Sequence, residues 1–138
     1  MSAWTDLAAR PKLRFGWLWW AVGWALIALT FRDSLERDVP SFAHMFPSDK
    51  ILHYTGYFLL ALWFAGVTHR KRYAIVGVLL ICMGGLIEIL QGAMNNGREA
   101  DWFDFMANSL GIVTGLAIAY AGLGMWMVWV ERLFRLQK

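Results

Sequence analysis

The stretch YAIVGVLLICMGGLIEILQ, residues 73–91, is apolar except for one acid, Glu88, and one amide, Gln91. An α-helix rises about 1.5 Å per residue, so a run of this length crosses a hydrocarbon core of about 30 Å. The basic segment THRKR precedes the stretch, and the polar segment NNGREAD follows it. The stretch is therefore predicted to be a transmembrane helix with a polar connection at each end.

Three other runs have the same character: FGWLWWAVGWALIALTF (15–31), ILHYTGYFLLALWFAGV (51–67) and FMANSLGIVTGLAIAYAGLGMWMVWV (105–130). The 138-residue chain is 59% hydrophobic and 17% charged, which is more apolar than a typical soluble domain. The predicted fold is all-α: a single domain, residues 1–138, in which four transmembrane helices form a polytopic bundle. The first run lacks a small-residue cleavage site, which favours a retained anchor over a signal peptide.

The basic residues predict how the bundle is oriented. Nine of them fall at the two termini and in the second connection, and only four fall in the other two connections. By the positive-inside rule, both termini are predicted to be cytoplasmic, and the connections 32–50 and 92–104 extracytoplasmic. The bases form no patch interleaved with polar loops, so nucleic acid is not expected as a partner. The single cysteine, Cys82, excludes an intramolecular disulfide.

Polar residues are arranged in stripes at the outer ends of three predicted helices. Asp49, His53 and Tyr57 are spaced i, i+4, i+8 on the second helix, with Lys50 beside Asp49. Glu88 and Gln91 are spaced i, i+3, so they also share one face, on the third helix. Because hydrocarbon does not tolerate ionisable groups, we expect these stripes to face the interior of the bundle.

The fourth helix begins with EADWFDFMANSLG, in which Asp101, Asp104, Asn108 and Gly111 follow one face. Either acid can cap the helix, but capping does not account for both acids and Asn108 together. Gly111 and Gly115 form a G-x-x-x-G pattern on that face, which predicts close contact with another helix. The predicted site contains nine polar residues at one membrane level: Asp49, Lys50, His53, Glu88, Gln91, Arg98, Asp101, Asp104 and Asn108.

These residues resemble the pattern of the VanZ-like family of small bacterial membrane proteins. The pattern is D-K-x-x-H, then E-x-x-Q, then R-x-x-D-x-x-D-x-x-x-N-x-x-G, and it covers residues 48 to about 119. The resemblance implies a compact bundle of about four or five helices in the bacterial inner membrane. It also implies a link to the cell envelope and to glycopeptide antibiotic resistance, since the family is named for a member associated with teicoplanin resistance.

Several roles are open for the site residues. His53, Glu88 and Asp104 are candidates for acid–base catalysis, or for a purely structural polar network. A divalent metal is chemically reasonable on His53, Glu88, Asp101 and Asp104, because imidazole and carboxylates suit Zn, Mn or Fe. It is not favoured here, since no H-x-x-x-H or E-x-x-H pair fixes two ligands on one helix. Lys50 and Arg98 either neutralise the acids or hold a phosphate or carboxylate.

The leading hypothesis is a pocket that recognises an anionic envelope lipid or a lipid-linked cell-wall intermediate, with a divalent ion as an optional bridge. One alternative is a membrane-embedded enzyme acting on a lipid through His53 or Glu88. Another is a structural or accessory subunit with a protein partner. Seven aromatic residues are predicted to be interfacial anchors: Trp17, Trp19, Trp20, Trp102, Phe103, Trp126 and Trp129. The tail WVERLFRLQK is predicted to lie on the inner leaflet.

Overall fold

The computed structural model describes residues 13–36, 45–94 and 99–136, and within these ranges the chain is all-helical, as predicted. The α-helices are α1 (Gly16–Leu35), α2 (Asp49–Val67), α3 (Tyr73–Met94), α4 (Trp102–Ala121) and α5 (Trp126–Leu136). Short 3₁₀ turns, Arg70–Arg72 and Leu123–Met125, join α2 to α3 and α4 to α5. We name the end where α2 and α4 begin the polar end, and the end with the two 3₁₀ turns the turn end.

Two of the described helical segments are long and apolar enough to cross a membrane. Arg70–Met94 has 25 residues and a mean hydropathy of 2.3, and Trp102–Ala121 has 20 residues and a mean hydropathy of 1.3. The shorter or less apolar helices α1 and α2 do not meet the same criterion. The structure therefore supports membrane crossing by α3 and α4, whereas the four spans and the positions of the termini stay predictions.

The predicted fourth span, residues 105–130, is wrong in its extent. The helix ends at Ala121, and Gly122 adopts φ 141°, a conformation that residues with a side chain rarely adopt. The amide of Gly122 donates to the carbonyls of Ile118 and Ala119, which closes the helix. Leu123–Met125 then form a 3₁₀ turn, and the last residues of the predicted span begin the separate helix α5.

Close contact between α2 and α4 holds the bundle together. A Cβ built on Gly115 would lie 2.7 Å from the carbonyl oxygen of Phe58, and one on Gly111 would collide with the carbonyl oxygen of Tyr54. The hydroxyls of Tyr54 and Thr114 add a hydrogen bond of 2.9 Å across the same contact. The predicted packing role of the G-x-x-x-G pattern is confirmed.

The turn end is an aromatic cluster closed by a buried acid. The rings of Trp19, Trp63 and Trp126 lie 5.5–5.6 Å apart, centroid to centroid. Glu131 of α5 accepts hydrogen bonds from the backbone N–H of Arg14 (2.7 Å). It also accepts from the N–H of Phe15 (3.0 Å) and from Nε1 of Trp19 (2.9 Å). It thereby joins α5 to the start of α1 and to the two residues that precede it.

The aromatic anchors were therefore predicted only in part. Trp19 and Trp126 are only half-buried, and they pack against each other and against Trp63. Trp17 and Trp129, in contrast, are exposed, as an interfacial anchor should be. The described part of the tail belongs to α5, an amphipathic helix in which Met127, Val128 and Glu131 are buried.

Candidate functional site

Helix capping places the first acids of the polar end. Ser48 precedes α2 and accepts a hydrogen bond from the N–H of Ile51 (3.3 Å), so Asp49 stands in the first turn, near the positive end of the helix dipole. Asp101 precedes α4 and accepts from the N–H of Phe103 (2.8 Å). The predicted capping role of Asp101 is confirmed, and Asp104 is left free to face the interior.

Lys50 joins α2 to α4 through two ion pairs. Its ammonium contacts Oδ2 of Asp101 and Oδ1 of Asp104. The hydrogen bonds to Asp101 and then to Asp104 raise the pKa of Lys50 above its ordinary value. The same bond from Lys50, and then the N–H of Phe103, lower the pKa of Asp101. Lys50 is thus neutralised by carboxylates, which favours the first of its two predicted roles.

His53 lies at the centre of the polar end. Its Nδ1 is 3.0 Å from Oδ1 of Asn108, a buried amide on α4. Its Nε2 is 3.6 Å from Oδ2 of Asp49 and 3.6 Å from Oδ2 of Asp104. The side chains of Asp104 and His53 are 11% and 12% exposed, whereas that of Asp49 is 49% exposed, so the meeting point is open to solvent on the side of Asp49.

Glu88 reaches the same end from α3. Its Oε2 accepts a hydrogen bond of 2.9 Å from the backbone N–H of Asp101, which ties the end of α3 to the start of α4. Its other oxygen, Oε1, is buried and has no hydrogen-bond partner among the described residues, and the same holds for the hydroxyl of Tyr57. A Cβ on Gly84 would lie 3.3 Å from that hydroxyl, so this glycine leaves room for Tyr57 beside α3.

The structure assembles most of the predicted site, with two exceptions. Seven of the nine residues meet at the polar end in one chain of contacts: Asp49, Lys50, His53, Glu88, Asp101, Asp104 and Asn108. Gln91 is buried, but its amide donates to the carbonyl of Ser34 (2.9 Å), so it ties α3 to α1. Arg98 lies outside the described residues.

The four candidate metal ligands do not act as one set. Oε2 of Glu88 and Oδ1 of Asp101 accept backbone N–H groups at the helix ends, and Oδ2 of Asp101 contacts Lys50. The atoms that converge within 4.8 Å of one another belong to Asp49, His53 and Asp104. Asp49 was absent from the predicted metal set, although D-x-x-x-H places it one turn before His53. This spacing was the signal that could have found it.

An apolar groove of about 660 Å³ lies below the polar end, between α1, α2 and the start of α5. Its walls include Leu26 and Thr30 of α1, Gly56 and Leu59 of α2, and Leu123 and Trp126 near the turn end. The hydroxyl of Thr30 donates to the carbonyl of Leu26 (2.9 Å), so it already has a partner within its own helix. Hydropathy did not predict the groove, because its walls come from separate parts of the chain.

Comparisons of this chain with protein-family models, with curated proteins and with solved structures find no match. The family resemblance, the ligand and the activity therefore stay predictions.

Proposed function

We propose that the chain is a four-span, VanZ-like protein of the bacterial inner membrane that binds an anionic envelope lipid, head group at the polar end and acyl chain in the apolar groove. The observation that carries the proposal is that the two features share one face of α2. Gly56 follows Asp49 by seven positions and His53 by three, so the groove begins about one turn below the polar side chains.

The outer surface of the helices supports a position within the membrane. α3 exposes Ile75, Leu79 and Ile89, and α4 exposes Leu110 and Val113. Apolar side chains this numerous on the outside of a small helical protein are costly in water and suited to hydrocarbon. The polar end would then lie at head-group depth on the outer side, as the distribution of Lys and Arg predicts.

The polar end carries an excess of acids, so an anionic head group can bind there only with additional positive charge. Asp49, Glu88, Asp101 and Asp104 are four acids, and among the described residues Lys50 is the base that contacts them, at Asp101 and Asp104. A phosphate therefore needs further positive charge, from Arg98 or from a bridging cation. The proposal thus retains the bridging cation that the sequence allowed.

The groove supplies the matching apolar half of the binding site. Gly56 has open space around the position of a Cβ, and its surroundings present few polar atoms. Burying each methylene of an acyl chain contributes about 0.8 kcal/mol. A chain in the groove would therefore bind more tightly than a head group alone, and a side chain at residue 56 would compete with it.

The test is native mass spectrometry of the protein extracted with its own lipids, comparing wild type, Gly56→Leu and the control Ala117→Leu. Ala117 is exposed on α4 and is outside the groove. Loss of about two buried methylenes corresponds to about a tenfold loss of affinity. We expect one anionic lipid on wild type and on Ala117→Leu, and at least a tenfold lower bound fraction on Gly56→Leu. A wild-type protein without lipid, or equal loss in both variants, would refute the proposal.

A further inference from the structure

We propose that Asp49, His53 and Asp104 form a binding site for a divalent transition-metal ion such as Zn²⁺ or Mn²⁺. The proposal goes beyond lipid binding, because it concerns three side chains of the lipid-free protein and stands if no lipid binds. It would also supply the positive charge that an anionic head group requires.

The protonation of His53 is the first argument. The amide oxygen of Asn108 can only accept a hydrogen bond, so the 3.0 Å contact assigns a proton to Nδ1 of His53. In the neutral imidazole, Nε2 then carries a lone pair, and this atom faces Oδ2 of Asp49 and Oδ2 of Asp104. Three electron-rich atoms thus converge, two of them on largely buried side chains and one on the half-exposed Asp49, and together they form a donor set that suits a cation.

The distances fit a shared ion. Zn²⁺ lies about 2.0–2.2 Å from imidazole nitrogen and carboxylate oxygen, so two ligands of one tetrahedral ion are about 3.4 Å apart. Nε2 of His53 is 3.6 Å from each carboxylate oxygen, and the three ligand atoms lie within 4.8 Å of one another. Both histidine contacts are longer than a hydrogen bond, as expected for atoms that share an ion rather than a proton.

The groups behind the ligands form a suitable outer shell. A histidine that binds a metal through one nitrogen usually donates its other N–H to an oxygen, and Asn108 provides that oxygen. Asp104 uses Oδ2 toward His53 while its Oδ1 contacts Lys50, so the lysine orients the carboxylate without occupying its ligand atom. One imidazole and two carboxylates suit Zn²⁺ or Mn²⁺ and leave coordination positions open for water or a phosphate oxygen.

The experiment is calorimetric titration of Zn²⁺ into tag-free, chelator-stripped protein in an uncharged, lipid-free detergent. We expect one Zn²⁺ per chain in wild type, and an affinity at least about 100-fold weaker in His53→Ala and in Asp104→Asn. The control is Glu99→Gln, which removes an exposed acid at the same end of the protein. We expect it to bind Zn²⁺ as wild type does.

Folded wild-type protein that takes up no stoichiometric Zn²⁺ would overturn the proposal, and so would an equal loss in Glu99→Gln. Should His53→Ala fail to fold, a second experiment decides. The chain has three histidines, and the double variant His44→Gln, His69→Gln leaves His53 alone. With Mn²⁺ bound to this variant, electron spin-echo spectroscopy should detect coupling to histidine nitrogen, and its absence would overturn the proposal.

The metal proposal and the lipid proposal can be refuted independently of each other. The titration contains no lipid, so a defect in lipid binding does not affect it, and Gly56→Leu should bind Zn²⁺ as wild type does. If Zn²⁺ binds and no lipid is retained, the metal site stands and the lipid proposal falls. If lipid is retained by metal-free protein and no Zn²⁺ binds, the reverse holds.

Discussion

The two ends of the bundle each bury a glutamate, and the two glutamates differ in the hydrogen bonds that their carboxylates accept. At the turn end, Glu131 accepts three described hydrogen bonds, two on Oε1 and one on Oε2, from Arg14, Phe15 and Trp19. At the polar end, Glu88 accepts one described bond, from Asp101, and its Oε1 is buried with no hydrogen-bond partner among the described residues. The two side chains are similarly buried, at 5% and 7% exposed.

This difference in hydrogen bonding favours a structural role for Glu131 and a role in a binding site for Glu88. A buried acceptor without a protein partner costs free energy unless a water, an ion, a ligand or a proton satisfies it. Each oxygen of Glu131 has a donor, and these hydrogen bonds join α5 to the start of α1. The polar end has more acids than its described base can balance, and its histidine nitrogen faces two carboxylates. Both oxygens of Glu131 thus have donors, whereas Oε1 of Glu88 has none among the described residues.

The largest expected effect is on the contact that brings the polar end together. In Gly111→Ala, the added methyl would collide with the backbone of α2 at Tyr54, and a helix backbone cannot move aside as a flexible side chain can. We expect the free energy of unfolding to fall by about 3 kcal/mol. Chemical denaturation in detergent, followed by circular dichroism, measures the change.

The matched control for Gly111→Ala is Gly56→Ala. Gly56 also lies within a long helix, but a Cβ there would have no neighbour within 4 Å. Because alanine favours a helix by about 1 kcal/mol over glycine, this variant should be as stable as wild type or more so. If the two alanine variants unfold alike, the close contact of α2 with α4 is not what holds the polar end.

The helices and the converging polar stripes could be predicted from the sequence, because both follow from periodicity. Asp49 and His53 share a face of α2, and Asp104 and Asn108 share a face of α4, whatever the helices pack against. The G-x-x-x-G pattern also predicts a packing role, because small residues on one face of a helix allow a second helix to approach closely. These local rules placed most of the candidate site.

The sequence did not predict the features that depend on tertiary structure. The break at Gly122 lies within an apolar run, and hydropathy does not detect a positive φ. Trp63 and Trp126 are far apart in sequence, so their packing with Trp19 was missed, as was the contact of Glu131 with the start of α1. The individual atoms of His53 that face Asn108 and the two acids are fixed only when α2 and α4 dock.

The second-largest expected effect is the loss of stability in Glu131→Gln, which is compared below with the same substitution at Glu88. In Glu131→Gln, one acceptor oxygen becomes an NH₂ group that faces an N–H donor, either the backbone of Arg14 or that of Phe15 and the indole of Trp19. A buried donor left without its partner costs about 1–3 kcal/mol. We expect a loss of about 2 kcal/mol in the free energy of unfolding, with Zn²⁺ affinity at the polar end unchanged in the folded protein. Loss of Zn²⁺ binding in this variant would mean that the two ends are not independent.

The smallest expected effect is that of Glu88→Gln, the same substitution at the other end. The glutamine can keep its oxygen on the N–H of Asp101 and place its NH₂ where Oε1 now lies, and among the described residues no donor is displaced there. It also removes one of the four acids crowded at this end. The free energy of unfolding should therefore change by less than about 1 kcal/mol, in contrast to Glu131→Gln.

The measurement is chemical denaturation of the two glutamine variants in the same detergent, which gives the difference between their free energies of unfolding. Because the chemical change is identical, a larger loss in Glu131→Gln can come only from what surrounds each carboxylate. A loss in Glu88→Gln as large as that in Glu131→Gln would show that Glu88 is fully bonded and structural. The polar end would then be as complete as the turn end, and the case for a ligand would rest on His53 and its two carboxylates alone.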